Sequence, residues 1–534
     1  MQKNKISLLY PSEEARQRKE NGEDNPKISI ETLDSLGLNE AIELKNSCLC
    51  DYFTMDKEVI EYRQRVFEDL LENEELTELL YKIEPLVADI SALRKLSLDA
   101  QSDSYLYSIT EIELYISVMQ ALSEELSKIK DKLKSDAFNE LYKIVYELTE
   151  SEYYKDLNKR LQELTSRVRE VKSVTIGVNL DSRLRPESAG VLSVNNEYFK
   201  SGELLQKILR LDFKSNEYTC IAALVPFEKG QTENQQGAMN TAFNNALNTV
   251  FKSSMRSWKK MVQTYVLENA DFLIKLVPEL EFLVRATEMI KTLKSGGNSL
   301  VFPEILPVSE KCYDVKGLYN PVVAWRLGSK MVENDIVFDK NGSFYVLSGP
   351  NRGGKSVITC AVGLSMAFAQ LGLCVPASSA KISPCDGIFT HFPTDAEDTI
   401  DKGRLGEECA RLDEIFDDIS EYSLVLLDES LSSTGSYEAS YIAAEVLGGL
   451  SMVGCRGIFS THLHELCNML GEINERSKKD GGSPIDTLVA GMEEGERSFK
   501  ICRKKPDGKS YARDIASKYG ISREHIMKKI EKNK

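Results

Sequence analysis

The chain has 534 residues, of which 42% are hydrophobic and 28% charged, so its composition excludes a wholly disordered protein. Its 67 basic and 83 acidic residues give a net charge of -16, which makes the chain as a whole a poor non-specific ligand for nucleic acid. Any DNA contact must therefore come from a local basic patch. The 11 cysteines form no pair of C-x-x-C units, which argues against zinc and favours a reducing, cytoplasmic location. The sequence shows neither a signal-peptide run nor a membrane span.

The first part of the chain is helical in pattern. Residues 1–40 are weakly patterned, and we treat them as an N-terminal segment. In DKEVIEYRQRVFEDLLENEELTELLYKIEP, Val59, Ile60 and Val66 fall on one helical face, with charge on the other. Pro85 predicts a kink or a break in this region. We predict a helical core and an outgoing lever over residues 41–172.

The pattern changes at residue 173. The stretch SVTIGVNLDSRLRPESAGVLSVN is β-branched with turn residues inside, which predicts strands and a hairpin, and YTCIAALVPF predicts another strand. Helical sequence then returns and ends at the linker KSGGNS. The order predicts a small β-rich insert over 173–235 at the far end of a helical excursion, with returning helices over 236–298.

From residue 299 the sequence alternates between strand and helix. SFYVLSG, YSLVLLDE and CRGIFSTH have the apolar runs of buried strands, and KSVITCAVGLSMAFAQLG is typical of a helix. This alternation predicts an α/β nucleotide-binding domain over 299–504, followed by a C-terminal segment over 505–534.

The stretch GPNRGGKS follows the first of these strands and has the phosphate-loop spacing G-x-x-x-x-G-K-S. Its glycines let the backbone turn N–H groups toward phosphate oxygens, and the next helix adds its positive end. Lys355 would neutralise the β- and γ-phosphates, and the Ser356 hydroxyl would bind Mg²⁺. The simpler alternative is a glycine-rich turn. The predicted nucleotide-binding residues are Gly349, Pro350, Asn351, Arg352, Gly353, Gly354, Lys355, Ser356 and Asp428.

Two later strands end in residues suited to hydrolysis. Asp428 can hold Mg²⁺ through water, so the predicted metal ligands are Ser356 and Asp428. Glu429 can polarise the attacking water, and His462 ends the next strand beside the expected γ-phosphate. The sequence DKGRLGEECARLDEIF lies between the nucleotide motifs and predicts either an ordinary acidic helix start or a segment that reaches across a dimer. That candidate segment comprises Gly403, Arg404, Leu405, Gly406, Glu407 and Glu408.

These motifs, in this order, resemble the MutS family of DNA mismatch-repair ATPases. GPNRGGKS is similar to the family's G-P-N-M-G-G-K-S, and YSLVLLDE and THLHEL are similar to its Y-S-L-V-L-M-D-E and T-H-Y-x-E-L. The resemblance implies that ATP is the nucleotide, that Mg²⁺ is required, and that Lys355, Glu429 and His462 are the catalytic residues of an ATPase. It also implies a homodimer in which each nucleotide lies between one subunit's loop and the partner's segment at Gly403–Glu408, here named the trans segment.

The fold that the resemblance implies is multidomain. An all-α lever and core domain carries a small β-rich clamp insert. An α/β P-loop ATPase domain of the ABC and MutS type follows. The last part, KSYARDIASKYGISREHIMKKIEKN, resembles the C-terminal helix-turn-helix that braces the ATPase dimer.

The chain departs from the family's usual pattern in two regions. Mismatch-reading members carry an N-terminal mismatch-binding domain with an F-x-E motif and a connector domain, whereas residues 1–40 contain no F-x-E. No Smr nuclease module is expected either. In the trans segment, GRLGEE stands where the family usually has S-T-F-x-x-E, so Gly403 replaces the serine expected to touch the partner's γ-phosphate.

The resemblance predicts an ATP-gated clamp on duplex or branched DNA in repair or recombination, without direct mismatch reading. Phosphate contacts would make its binding largely independent of sequence. Two alternatives stay open: an ABC-type chromosome-organising ATPase, and a module that binds ATP for assembly with little hydrolysis. The candidate DNA-facing residues, each otherwise a solvated surface charge, are Arg167, Arg169, Lys172, Arg183, Arg185, Lys252, Arg256, Lys259 and Lys260.

Overall fold

The computed structural model describes residues 6–99, 105–169, 173–183, 186–195, 197, 222–224, 271–350, 352–393, 403–431, 433–493, 496–505 and 520–532. Its α-helices within these ranges are α1 (Glu13–Glu20), α2 (Ile30–Leu36), α3 (Leu38–Ala41), α4 (Lys57–Glu72), α5 (Glu74–Asp99), α6 (Tyr105–Ile129), α7 (Asp136–Glu150), α8 (Glu152–Arg169), α9 (Asp271–Ser295), α10 (Pro321–Leu327), α11 (Lys355–Leu371), α12 (Gly403–Asp418), α13 (Ser436–Val453), α14 (His464–Lys479) and α15 (Arg523–Lys532). Its strands are β1 (Ser173–Leu180), β2 (Pro186–Asn195), β3 (Ala222–Leu224), β4 (Glu304–Ile305), β5 (Tyr313–Leu318), β6 (Asn334–Phe338), β7 (Phe344–Ser348), β8 (Ser379–Ile382), β9 (Ile388–His391), β10 (Leu424–Asp428), β11 (Arg456–Ser460), β12 (Ile485–Glu493) and β13 (Glu496–Arg503).

The chain divides into two compact units. A helical unit comprises Met1–Leu8 and Asn73–Glu281, and a sheet unit comprises Leu9–Glu72 and Phe282–Lys534. The predicted multidomain combination of helices and several sheets is confirmed. Every helix in the described ranges is too short or too polar to cross a bilayer.

The helical unit is built from amphipathic helices, of which α7 is a clear example. Its start is fixed by Ser135, whose hydroxyl accepts a hydrogen bond from the Phe138 N–H at 3.3 Å. Phe138, Leu141 and Val145 lie on one buried stripe at helical spacing. Helix α5 continues through Pro85, so the helix does not break there, and the proline itself is exposed. The strands β1 and β2 form the predicted antiparallel hairpin, and β3 adds to β2.

A buried ion pair joins two of these helices. Arg94 on α5 donates from Nε to Oε1 of Glu111 on α6 at 2.8 Å, and Glu111 is 1% exposed. Burial raises the pKa of the Glu111 carboxyl, and the bonded guanidinium opposes that shift. Asp271, at the start of α9, lies 3.1 Å from Nη1 of the same arginine. The three helices therefore meet around one arginine whose donors are shared between two carboxylates.

The larger sheet of the sheet unit has the strand order β13-β12-β7-β11-β10-β9. The neighbouring pairs from β12 to β9 are parallel, and β13 closes the end antiparallel to β12. Every residue of β7, β10 and β11 is buried, which explains their uninterrupted apolar sequences. Helix α11 packs against β10 and β11. A second sheet has the order β4-β8-β5-β6.

The N-terminal segment forms short helices that pack on this sheet unit. The N–H of Lys27 donates to the Asp386 carbonyl at 2.7 Å, and the N–H of Ile388 donates to the Lys27 carbonyl at 3.0 Å. The chain therefore pairs with the edge of the sheet just before β9 and covers polar groups that an edge would expose. Leu36, at the end of α2, is 3% exposed and lies against Gly363 on α11.

Removal of the Leu36 side chain tests whether the N-terminal segment is part of the sheet unit. Leu36→Ala should lower the free energy of unfolding by about 2–5 kcal/mol, because it leaves a cavity against α11. Ile30→Ala in the same helix is the control, since Ile30 is 56% exposed and should change stability by at most about 0.5 kcal/mol. Urea unfolding followed through Trp325, in a Trp258→Phe background, measures both. Coincident curves for the two variants would contradict this packing.

Candidate functional site

The predicted phosphate loop joins β7 to α11. Gly349 leaves the strand with φ 143°, and a Cβ placed on it would lie 2.7 Å from the Ala490 Cβ of β12, so a side chain is excluded by contact. Gly354 adopts φ 89° and caps α11, which begins at Lys355. The unpaired N–H groups at the start of this long helix therefore face the loop, where its positive end favours an anion.

Lys355 is held over the loop and is 4% exposed. Its Nζ donates to the carbonyls of Gly349 at 3.3 Å and Pro350 at 3.4 Å. Burial lowers the pKa of this ammonium, and the carboxylates of Glu429 and Asp428 oppose the shift. The lysine is therefore a cation with little water around it, fixed beside the start of α11.

Asp428 ends β10 directly opposite Ser460 of β11. It is 7% exposed, and its Oδ1 has no hydrogen-bond partner among the described residues. Burial raises the pKa of the Asp428 carboxyl. The hydroxyls of Ser356 and Ser460 and the positive charge of Lys355 act in the opposite direction and lower this pKa. A buried carboxylate oxygen without a donor, next to a serine hydroxyl, is the oxygen environment that a divalent cation would complete.

Glu429 and His462 form a short hydrogen bond of 2.6 Å between Oε1 and Nε2. The other ring nitrogen, Nδ1, lies 3.4 Å from the Lys355 Nζ. An ammonium can only donate, so we assign Nδ1 as the acceptor and Nε2–H as the donor to the glutamate. The carboxylate, the imidazole and the ammonium form one hydrogen-bonded chain. The side chains of Glu429 and His462 are each 36% exposed, so solvent can reach the end of the chain away from the buried lysine.

The backbone turns sharply after β10. Glu429 has φ 49° and Leu431 has φ 66°, in the left-handed region that side chains disfavour. The Glu429 N–H donates to the Ser460 carbonyl at 2.8 Å, which holds the first of these residues. Such strain persists only where neighbouring contacts impose it, and it is common at functional sites.

The trans segment opens α12, as the sequence predicts, and its residues Leu405 to Glu408 are half-buried. The Glu408 carbonyl lies 3.2 Å from Nε2 of His391, the last residue of β9. Nδ1 of the same ring lies 2.7 Å from the hydroxyl of Ser430. A cavity of about 50 Å³ is lined by Glu407, Glu408 and Arg411 on one side and by Glu429, Ser430 and His391 on the other. Neither His391 nor Ser430 belongs to one of the motifs predicted from the sequence.

Phe499 on β13 is a further residue that the sequence analysis missed. It is 46% exposed, and its ring carbon Cδ1 lies 3.5 Å from a Cβ placed on Gly354 of the loop. The backbone has φ 55° there and is fixed by Asn334, which donates to the Phe499 carbonyl at 3.2 Å and accepts from the Ile501 N–H at 2.7 Å. An aromatic residue among the charges of ERSFKICR was the available signal.

The structure thus brings Lys355, Asp428, Glu429 and His462 to one edge of the large sheet. Gly349, Pro350, Arg352, Gly353, Gly354 and Ser356 surround them, and Gly403 and Arg404 lie in the first turn of α12. Arg167 and Arg169 lie on α8, and Arg183 is exposed after β1 in the helical unit. The remaining predicted site residues lie outside the described residues: Asn351, Lys172, Arg185, Lys252, Arg256, Lys259 and Lys260. The predicted helix-turn-helix is described only in part, through α15.

Comparison with known proteins finds two matching family models. Residues 345–526 match MutS domain V, and residues 55–296 match the MutS2 N-terminal domain. The chain is 27% identical over 309 residues to a DNA mismatch repair protein MutS of Prochlorococcus marinus, covering 55% of this chain and 33% of that protein. It is 26% identical over 424 residues to a Thermotoga MutS, covering 77% of this chain and 47% of the relative. A MutS of Clostridium kluyveri is 30% identical over 242 residues, or 44% and 26% of the two chains.

The chain therefore spans less than half the length of these relatives. Both family models nevertheless come from one family, and they match the sheet region that carries the loop as well as the helical region before it. The Prochlorococcus and Thermotoga relatives, which align with 55% and 77% of this chain, are both named DNA mismatch repair protein MutS. This chain belongs to the MutS family.

Proposed function

We propose that this chain is an ATPase that acts as a homodimeric, ATP-gated clamp on duplex or branched DNA in repair or recombination, without direct mismatch reading. The observation that carries the ATPase part is the hydrogen-bonded chain from Lys355 through His462 to Glu429 beside a phosphate loop. A binding site alone needs the loop and the cation. Hydrolysis requires in addition a carboxylate that can act on water, and here a histidine orients that carboxylate at the same edge of the sheet.

Each of these residues would have a separate role in hydrolysis. Lys355 and the N–H groups of the loop would bind the β- and γ-phosphates and stabilise the charge that develops on them. Oε1 of Glu429 accepts a hydrogen bond from Nε2–H of His462, so Oε2 is the oxygen that would accept a proton from the attacking water. As the proton of the water passes to Oε2, the water's oxygen would bond to the γ-phosphorus and the bond from that phosphorus to the bridging oxygen of ADP would break, which gives ADP and inorganic phosphate. His462 would hold the carboxylate in place, and its Nδ1 lies 3.4 Å from the Nζ of Lys355, which would contact the γ-phosphate.

The residues present fit a magnesium ion. Oδ1 of Asp428 lacks a partner among the described residues, and the Ser356 hydroxyl lies next to that carboxyl. When bound, Mg²⁺ would neutralise phosphate charge. Ser356 and Asp428 would hold it, and the charge of Lys355 would act on the same phosphates from the loop.

Phe499 would supply the contact to the base. Its ring is exposed next to Gly354, at the mouth of the loop, and its backbone is fixed by Asn334. Stacking of a base on an aromatic ring contributes about 1–3 kcal/mol and tolerates different bases. The geometry therefore favours binding of a whole nucleotide rather than of phosphate alone.

Glu429→Gln and Lys355→Ala should separate hydrolysis from binding. Glu429→Gln keeps the loop but removes the base, so kcat should fall by about 10²–10⁴-fold while ATP still binds. Lys355→Ala removes the buried cation and should abolish both binding and turnover. Phosphate release and ATP affinity are measured for each variant, with the exposed Glu472→Gln as a charge-matched control.

Full turnover by Lys355→Ala would show that the site is assigned wrongly. The alternative of an assembly module with little hydrolysis predicts a different result, in which the wild-type chain forms an ATP-dependent dimer on size-exclusion chromatography but releases no phosphate. The replacement of the expected serine by Gly403 is the observation that favours this alternative.

Phe499→Ala should weaken ATP binding by about 5- to 100-fold, the equivalent of a lost base stack. Phe499→Tyr keeps an aromatic ring and should bind normally. Isothermal titration with ATP and, separately, with inorganic tripolyphosphate measures the two contributions. An equal loss for both ligands would mean that the ring supports the loop and does not contact a base.

DNA binding should depend on positive charge in the helical unit. The double variant Arg167→Glu, Arg169→Glu on α8 should weaken binding to branched DNA, and each lost phosphate contact should lower the slope of log K against log salt by about 1. Fluorescence anisotropy at two salt concentrations measures this slope. Arg476→Glu on α14, where Arg476 pairs with Glu445 at 3.1 Å, is the control in the sheet unit. Absence of binding to every DNA shape at low salt would contradict the clamp.

A further inference from the structure

His391 is a buried histidine that the proposed hydrolysis does not use. It ends β9, is 2% exposed, and pairs in the sheet with Leu427, the residue before Asp428. Its Nε2 faces the Glu408 carbonyl, which can only accept, so Nε2 carries the proton. Nδ1 is therefore an acceptor, and the Ser430 hydroxyl donates to it at 2.7 Å. The same hydroxyl also lies 3.1 Å from the backbone carbonyl oxygen of His391. One imidazole thus bonds to two segments that are distant in sequence.

The first segment carries the carboxylate proposed for hydrolysis. Ser430 follows Glu429 and lies between two residues in the left-handed region, Glu429 and Leu431. Each such residue costs of the order of 1–3 kcal/mol and needs contacts that hold it. The Glu429 N–H is held by the Ser460 carbonyl, and the Ser430 hydroxyl is held by the His391 ring. The bonds at Ser460 and His391 thus hold the chain at Glu429 and at the residue after it.

The second segment is the start of α12. The Glu408 carbonyl that His391 bonds lies at the end of the trans segment, the part proposed to face the partner's nucleotide. Glu407 and Arg411 line the same small cavity as Glu429, and Arg411 donates to the Phe392 carbonyl at 3.4 Å. A displacement of α12 therefore acts directly on the ring that holds Ser430.

We propose that His391 is a positioning residue that ties the trans segment to Ser430, and thereby sets the position of the Glu429 carboxylate within the same subunit. This inference rests on the proposed function, because it assigns Glu429 to hydrolysis. Burial lowers the pKa of His391 to about 4, with the nearby charge of Arg411 acting in the same direction, so the ring is neutral and keeps one donor and one acceptor. A neutral ring in this tautomer satisfies both partners at once.

Two variants break the link at its Ser430 end. His391→Gln keeps a side-chain amide that can bond the Glu408 carbonyl but does not reproduce the ring acceptor, and Ser430→Ala removes the hydroxyl. Each should lower kcat for ATP by roughly 10- to 100-fold, since small displacements of a catalytic group have effects of this size. KM should change by no more than about twofold, because neither side chain lines the phosphate loop.

A merely structural role would not produce this split between kcat and KM. The double variant His391→Gln, Ser430→Ala should be no slower than Ser430→Ala alone, because Ser430→Ala already removes the hydrogen bond that His391→Gln removes, together with the hydroxyl's contact with the His391 carbonyl. Ser430→Thr keeps a hydroxyl and should restore kcat. Ser378→Ala is the matched control, since it removes a serine hydrogen bond of 2.9 Å to the Lys316 carbonyl elsewhere in the sheet unit.

Steady-state phosphate release with each variant, together with circular dichroism to confirm folding, decides between the outcomes. Turnover within twofold of wild type in folded Ser430→Ala would overturn the role of His391 and leave the proposed ATPase intact. Losses that multiply in the double variant would also overturn it, because two independent contacts would then be involved. A wild-type chain without turnover would overturn both the inference and the ATPase assignment. If His391→Gln fails to fold, the Ser430 variants alone give the result.

Discussion

The site depends on two opposite charges that are buried at one edge of a parallel sheet. Burial lowers the pKa of Lys355 and raises that of Asp428, so each is costly as an isolated ion. The charges of Glu429 and Asp428 oppose the shift at Lys355, and the charge of Lys355 opposes the shift at Asp428. The strand order brings these groups together. β7 leads into the loop and β10 ends in Asp428, with only β11 between them. His462 follows β11, and it is therefore placed between Lys355 and Glu429, where its ring bonds to both.

The residues at this edge could be predicted because each follows directly from a run of apolar residues. The stretches FYVLS, LVLLD and RGIFS are buried at every position, and the carboxyl ends of parallel strands meet at the same edge of a sheet. The phosphate loop could also be predicted from a local pattern, because one short segment contains its glycines, its lysine and its serine. Local patterns predicted which residues meet. They did not predict that His462 joins the lysine to the glutamate, because that depends on side-chain distances.

The residues that the sequence analysis missed are positioned by contacts between distant segments. His391 lies in FTHF, which has no motif, and its role appears only when β9, α12 and Ser430 are seen together. Phe499 is brought to the loop by the pairing of β13 with β12. The helices before residue 42 were not predicted from the sequence for another reason. Their lengths of 8, 7 and 4 residues are too short for helical periodicity to be read reliably.

The same edge of the sheet contains several features that lower the stability of the fold. A lysine is buried, an aspartate oxygen lacks a partner among the described residues, and the turn after β10 contains two left-handed residues that are not glycine. None of these would be selected for packing, because each has a free-energy cost in the folded state. A phosphate group and a divalent cation would satisfy the first two, since they supply the opposite charges that the buried groups need. Any ligand that binds the folded state in this way stabilises it by an amount that rises with the logarithm of its affinity and concentration. The free energy of folding and the free energy of nucleotide binding are therefore linked at this edge of the sheet. The strained turn at Glu429 also has a free-energy cost in the folded state, but a bound nucleotide does not need to relieve it.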